Sequence, residues 1–332
     1  MYLGEYMYLN EAKEHLKILL KETIGIFLHG SPGIGKSAIV QQICDEWKWQ
    51  LIDLRLSLLN PVDLRGLPYF DKERHEAVWL KPEFLPTKGN GILFLDELNT
   101  APISVQIAAY QLILDRRIGS YCFPGDWRIV AAGNKTTDGA MVIKMPTPLA
   151  NRLIHLEVEA NIDDWKLWAN GRVDPRIIAF LNFRPALLAT LPKEEEVAFP
   201  TPRAWNHVSR ILPLYPTIDD AEPVIKGTVG AGAGKEFISF VQIYADLPDV
   251  DGILQGKVKD VPKKADVLYA LSSALVSKMK KEYIDNFLLY TFLMPPEYAI
   301  LTAKDVIRGG WQKQIEESPV FKQWSDKFIN YL

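Results

Sequence analysis

Cysteine is scarce: only Cys44 and Cys122 occur in 332 residues. Two thiols exclude a disulfide-stapled scaffold and a cysteine-based zinc site, and they fit a reducing compartment, so a cytoplasmic location is expected. The five histidines (15, 29, 75, 155 and 207) have no metal-ligand spacing with cysteines or acids. Long apolar runs are also missing. No stretch approaches the ~18 uncharged residues of a membrane span, so no membrane partner is expected. The opening Met1 to Tyr6 lacks the basic and apolar regions of a signal peptide. Neither low-complexity tracts nor internal repeats are found. Charge of one sign is not in excess: 38 basic against 41 acidic residues leave −3. A global basic field for nucleic acid or membrane is therefore absent, although a local patch stays open. What is present is an ordinary globular balance, 48% apolar and 24% charged, which excludes disorder as the dominant state. At ~100–200 residues per domain, the length suggests two domains.

The N-terminal half alternates strand and helix patterns. Asn10 is placed to cap a helix carrying Ala12, Leu16, Leu19 and Leu20 on one face. Short apolar runs at 24–28, 51–56, 91–96, 128–132 and 153–158 read as strands, the buried ones without polar alternation. Helices are expected over 36–47 and from Thr100 and Pro102 to about Leu114. Strands alternating with helices imply a mostly parallel sheet with helices on both faces. Beyond about Ala160, proline-separated helical stretches follow at 163–170, 175–183, 202–212, 237–244, 264–278, 283–292 and 319–331. A domain boundary is placed near residue 160.

Gly30-Ser31-Pro32-Gly33-Ile34-Gly35-Lys36-Ser37 fits G-x-x-x-x-G-K-[ST] at every fixed position. The glycines let the backbone wrap a phosphate chain with its N–H groups inward, at the N-terminus of the next helix. Lys36 would reach the β- and γ-phosphates, and Ser37 would ligate Mg²⁺. An ordinary strand-to-helix turn is the bland alternative, and the preceding strand and following helix argue against it. Sixty residues after Lys36, Ile92-Leu93-Phe94-Leu95-Asp96-Glu97 ends a buried strand in two carboxylates. That end of an open α/β sheet is where ligands sit. Asp96 can hold Mg²⁺ through its waters, and Glu97 can orient the water that attacks the γ-phosphate.

Together these motifs resemble the AAA+ ATPases. The resemblance implies a P-loop doubly wound α/β sheet with an α-helical lid and a helical C-terminal extension. It also implies ATP and Mg²⁺ as cofactors, hydrolysis of ATP to ADP and phosphate, and a homo-oligomeric ring, a hexamer as in the family. In Ala131-Ala132-Gly133-Asn134, Asn134 looks like the sensor-1 asparagine. Pro148-Leu149-Ala150-Asn151-Arg152-Leu153 resembles the segment of the arginine finger, Arg152, although many members have Asp where Asn151 stands. Thr201-Pro202-Arg203-Ala204 resembles the sensor-2 start of a lid helix, with Arg203. Asp96, Asn134, Arg152 and Arg203 are separated by 38, 18 and 51 residues in the expected order.

Within AAA+ proteins the resemblance is to the helix-2-insert MoxR branch, with RavA-like ATPases, the magnesium-chelatase motor subunit and McrB as relatives. It rests on Asn60-Pro61-Val62-Asp63-Leu64-Arg65-Gly66-Leu67-Pro68 and on Trp79-Leu80-Lys81-Pro82-Glu83-Phe84-Leu85. It covers roughly residues 10–212, and residues 213–332 match no family that can be named. With the boundary near 160, the chain is read as a nucleotide domain (1–160, insert hairpin about 63–84), a lid (161–245) and an extension (246–332). It implies remodelling of a protein client, in the family often a von Willebrand factor A domain protein. A nucleic-acid motor of the McrB kind and a nucleotide-gated scaffold with little turnover stay open. Hairpins are expected between Leu67 and Leu80, with a charged turn at 71–76, and at 117–128. Tyr69, Phe70 and Trp79 on the first either grip a partner or pack onto the domain. Gly230-Ala231-Gly232-Ala233-Gly234-Lys235 imitates a phosphate loop, but Val229 and Glu236 break the pattern. It reads as a flexible lead-in to a helix.

Overall fold

The computed structural model describes residues 6–73, 75–135, 142–143, 145–192, 196–245 and 247–329. Arg74 of the charged turn, residues 1–5 of the opening segment, and 330–331 of the last expected helix lie outside them. The chain divides into two compact units, Met1–Ala160 and Asn161–Leu332.

The first unit opens with strand β1 (Met7–Tyr8), helix α1 (Leu9–Leu19), β2 (Ile26–His29), α2 (Lys36–Trp47) and β3 (Gln50–Arg55). Next come α3 (Pro61–Arg65), the hairpin β4 (Leu67–Asp71) and β5 (Glu76–Leu80), β6 (Gly91–Asp96) and α4 (Ile103–Asp115). The short pair β7 (Arg117–Ile118) and β8 (Tyr121–Cys122), β9 (Trp127–Gly133), α5 (Thr147–Ala150) and β10 (Ile154–Glu159) complete it. Six strands form one sheet in the order β1-β10-β2-β9-β6-β3, every neighbouring pair parallel. Parallel neighbours need crossover connections, which is why helices alternate with them.

The apolar runs have no polar alternation because both faces of the central strands are covered. On β6, Ile92 and Phe94 join a core with Leu16 of α1 and Ile39, Val40 and Ile43 of α2. Leu93 and Leu95 join the opposite core with Val105, Ala109 and Leu112 of α4. At ~25 cal/mol per Å² of apolar area, each fully buried side chain of this size contributes about 1.5–3 kcal/mol before entropy is subtracted.

The second unit is helical: α6 (Ile162–Ala169), α7 (Pro175–Phe183), α8 (Pro202–Ile211), α9 (Glu222–Val229), α10 (Ala231–Ala245) and α11 (Val250–Leu254), then α12 (Ala265–Ser277), α13 (Ile284–Thr291), α14 (Pro296–Val306), α15 (Gln312–Glu316) and α16 (Phe321–Phe328). Two of its prolines open helices rather than break them. Pro175 and Pro202 follow the N-caps Asp174 and Thr201, whose side chains accept from Arg176 N and Ala204 N. Residues 161–332 form one compact unit, in which α11 to α16 share a core around Leu271, Leu275, Phe287, Leu288, Ala299 and Phe328.

Several local expectations change. Asn10 does not cap α1: the helix begins at Leu9 with Tyr8 as N-cap, because pairing of Met7 and Tyr8 with β10 leads the chain directly into it. Thr100 does not cap α4 either. Pro102 holds that position, and the Thr100 hydroxyl donates to Glu97 O at 3.1 Å, closing the turn after β6. The second hairpin pairs only Arg117–Ile118 with Tyr121–Cys122. Gly230 ends α9 and α10 begins at Ala231, so the glycine-rich imitation is helix rather than a lead-in.

Candidate functional site

The phosphate-loop motif lies between β2 and α2. Gly33 and Gly35 have φ of 73° and 120°, where a side chain would be strained. Ile34 turns its side chain into the α1–α2 core and anchors the loop. Gly30 N donates to Gly133 O at 3.2 Å, tying the loop to the end of β9. Lys36 is buried, and its ammonium donates to Gly30 O at 2.6 Å and Ser31 O at 3.0 Å. The cation is thus held inside the loop by carbonyls that a phosphate oxygen can replace. Ser37 follows Lys36 in the first turn of α2.

The two carboxylates emerge from the end of β6. Asp96 Oδ1 accepts from Glu97 N at 2.9 Å, leaving Oδ2 for another partner. Glu97 sits on left-handed backbone, φ 58°. The turn holds it there: Glu97 O accepts from Thr100 N and Ala101 N, each at 3.1 Å. Its side chain is taken by the strand next door. Ser57, just beyond β3, donates to Glu97 Oε2, and Arg55 Nε lies 3.7 Å from Oε1. Asp53, on the same strand, has its pKa pushed up by burial and then by the Asp96 charge.

The third strand end is clamped by Asn99. Its amide donates to Asn134 O at 2.8 Å, and its Oδ1 accepts from Asn134 N at 3.1 Å. Leu98 N donates to Ala132 O at 2.9 Å. Gly133 is required here, since a Cβ would come within 2.2 Å of Asn99 Oδ1 and 2.7 Å of Phe27 Cζ. The first unit therefore brings Lys36, Ser37, Asp96, Glu97 and Asn134 to the carboxyl ends of adjoining strands, β2, β9 and β6. Arg152 lies in the turn after α5, its N donating to Leu149 O at 2.9 Å, and its side chain is exposed. Arg203 is exposed in the first turn of α8, in the second unit.

Ser57, Arg55, Asn99 and His155 were not singled out from sequence. Nothing local marks them, because each acts on a residue of another strand. His29, read as a simple strand-end residue, does end β2 but is also hydrogen-bonded to His155. Both cysteines are free, and burial pushes the Cys44 thiol up to about 11. Among the described residues no group of three His, Cys, Asp or Glu side chains could hold a metal. Mg²⁺ commonly takes one or two protein ligands and completes its shell with phosphates and water. Ser37 Oγ and Asp96 Oδ2 are suitable oxygens. No helix among the described residues is long and apolar enough to cross a membrane.

A parallel sheet in this order, with a Gly-rich loop and a buried lysine between β2 and α2, defines a P-loop nucleotide-binding fold. Residues 26–106 match the model of the AAA family, the ATPase family associated with various cellular activities. Among solved structures the chain is similar to NtrX from Brucella abortus, at 13% identity over 99% of this chain and 69% of that one, TM-score 0.42. An ADP complex of the same protein matches at 14% identity over 95% and 69%, TM-score 0.42. A Thermotoga maritima RuvB variant matches at 17% identity over 83% and 86%, TM-score 0.40.

Proposed function

We propose that this protein is a MoxR-branch AAA+ ATPase that hydrolyses ATP to ADP and phosphate with Mg²⁺, as a ring that remodels a protein client. The observation that carries the reading is the stitching of three strand ends around one buried lysine. Gly30 bonds Gly133, Leu98 bonds Ala132, and Asn99 clamps Asn134. Phosphate cradle, acid pair and polar sensor are thereby held rigidly to one another, as catalysis by positioning requires.

Loop N–H groups and Lys36 hold the β- and γ-phosphates. Ser37 and Asp96 would hold Mg²⁺, which would supply charge neutralisation to the phosphates. Glu97 orients and polarises the attacking water once its carboxylate leaves Ser57. Asn134 completes the pocket beside the γ-phosphate. Arg152, exposed on the first unit, is the finger offered to a neighbouring subunit, and Arg203 is the sensor-2 candidate.

Two variants test the assignment. Lys36→Ala removes the phosphate-binding cation, so nucleotide affinity should collapse. Glu97→Gln keeps shape but loses the carboxylate, so ATP should bind and persist while turnover falls. Fluorescent-nucleotide titration and phosphate release measure the two effects; equal loss of ATP binding in both variants contradicts the roles.

A further inference from the structure

Two histidines outside the motifs form a continuous hydrogen-bonded path from the phosphate loop to the Arg152 turn. His29 directly precedes Gly30, and His155 lies on β10. His29 Nε2 is 2.8 Å from His155 Nδ1, and His155 Nε2 is 2.7 Å from the Ala150 carbonyl. A carbonyl can only accept, so His155 Nε2 carries a proton and donates it there. In a neutral imidazole the other nitrogen is then bare, so His155 Nδ1 accepts from His29 Nε2–H. Donation runs His29 to His155 to Ala150, the last residue of α5 and two residues before Arg152.

The surroundings favour a neutral His29 ring. Burial, then the His155, Lys36 and Lys135 charges, push His29 down to about 3. Glu157, its register partner on β10, is engaged by Lys135 at 3.1 Å. Phe27 packs on both rings, with centroids 4.3 Å from His29 and 5.9 Å from His155. On the loop side, the residue after His29 accepts from the Lys36 ammonium. A nucleotide phosphate competes for that ammonium and disturbs the residue to which His29 is bonded covalently.

We propose that the His29–His155 pair is a positioning relay that ties the turn presenting Arg152 to the base of the phosphate loop, so that loop occupancy sets the finger's presentation. This rests on the reading of Arg152 as a finger. His155→Phe keeps a ring in place and removes both hydrogen bonds. The expected result is kcat lowered about ten- to hundredfold, the range that small misplacement costs. KM for ATP should stay within about threefold of wild type, because ground-state binding is untouched. In an Arg152→Ala background the same change should add little further loss. Wild-type kcat in His155→Phe, alongside a slow Arg152→Ala, overturns the relay alone. Effects of the two variants that multiply in full also overturn it. A wild-type rate in Arg152→Ala overturns the finger reading and the relay with it. Should His155→Phe fail to fold, ring-¹⁵N spectra of the unaltered protein decide. Both rings should be neutral Nε2–H tautomers whose resonances shift when ADP is added. An Nδ1–H tautomer at His155, or no shift, overturns the proposal.

Discussion

Glu97 carries its carboxylate on left-handed backbone and gives its side chain to Ser57, a residue forty positions earlier. For a residue with a Cβ that backbone costs about 1–2 kcal/mol, and three hydrogen bonds to Glu97 O offset it. Strain at the position proposed to orient water is a local inconsistency of the kind expected at functional sites. His29 is another residue whose neighbours change its chemistry. Its pKa is pushed from the ordinary 6.5 down to about 3. Between those values the unfolded chain binds a proton that the folded one excludes, so stability rises with pH across that window and is level above it. Stability should therefore fall as pH drops from about 6.5 toward 4, by no more than about 1.4 kcal/mol per pH unit from this group, and Tm with it. His29→Phe should flatten that part of the curve in a melting series; an unchanged slope would mean His29 is not the group responsible.

At the scale of the element, the insert hairpin has two kinds of aromatic residue. Asn60 N donates to Asp63 Oδ2 at 2.7 Å at the start of α3, and Pro61 opens the helix. Gly66 then ends it at φ 81°, where a Cβ would lie 1.9 Å from Leu80 O. The segment that resembles the MoxR branch is thus a device for turning the chain into β4. On the hairpin, Trp79 lies against Gly119 of the second hairpin, 3.7 Å from where a Cβ would be. Trp79 is still 42% exposed, and Tyr69 and Phe70, at 55% and 57%, are more so. Trp79→Ala should lower Tm by several degrees, since it removes packing. Tyr69→Ala and Phe70→Ala should each leave Tm within about 2 °C and basal ATPase intact, as exposed substitutions do. If either of these lowers Tm as much as Trp79→Ala, the exposed aromatics are packing residues and not a partner surface.

For the whole molecule, the proposed ring makes a prediction that no single chain can. Arg152→Ala subunits keep a sound phosphate loop and lack a finger, whereas Lys36→Ala subunits lack the loop and keep the finger. Arg152→Ala alone should hydrolyse ATP about 10³-fold slower or worse if the finger contribution is typical. Mixed in one ring, the two inactive proteins should recover part of the activity that neither has. Mixed rings that demonstrably form and stay inactive would show that Arg152 does not act in trans.

The sequence by itself determined the phosphate loop, α2 over Lys36–Trp47, β6 over Gly91–Asp96 and the parallel α/β class. These are written in contiguous residues: glycines at turn positions, an apolar run long enough to be covered on both faces, a helix start after a loop. Only the tertiary structure decided that Ser57 holds Glu97, that Asn99 clamps Asn134 and that His29 meets His155. It also decided that Met7 and Tyr8 join the sheet beside β10 and so displace the cap expected at Asn10. The physical reason is the same each time: parallel strands are neighbours in space and distant in the chain. Hydrogen bonds between their ends follow strand order, which local patterning does not encode.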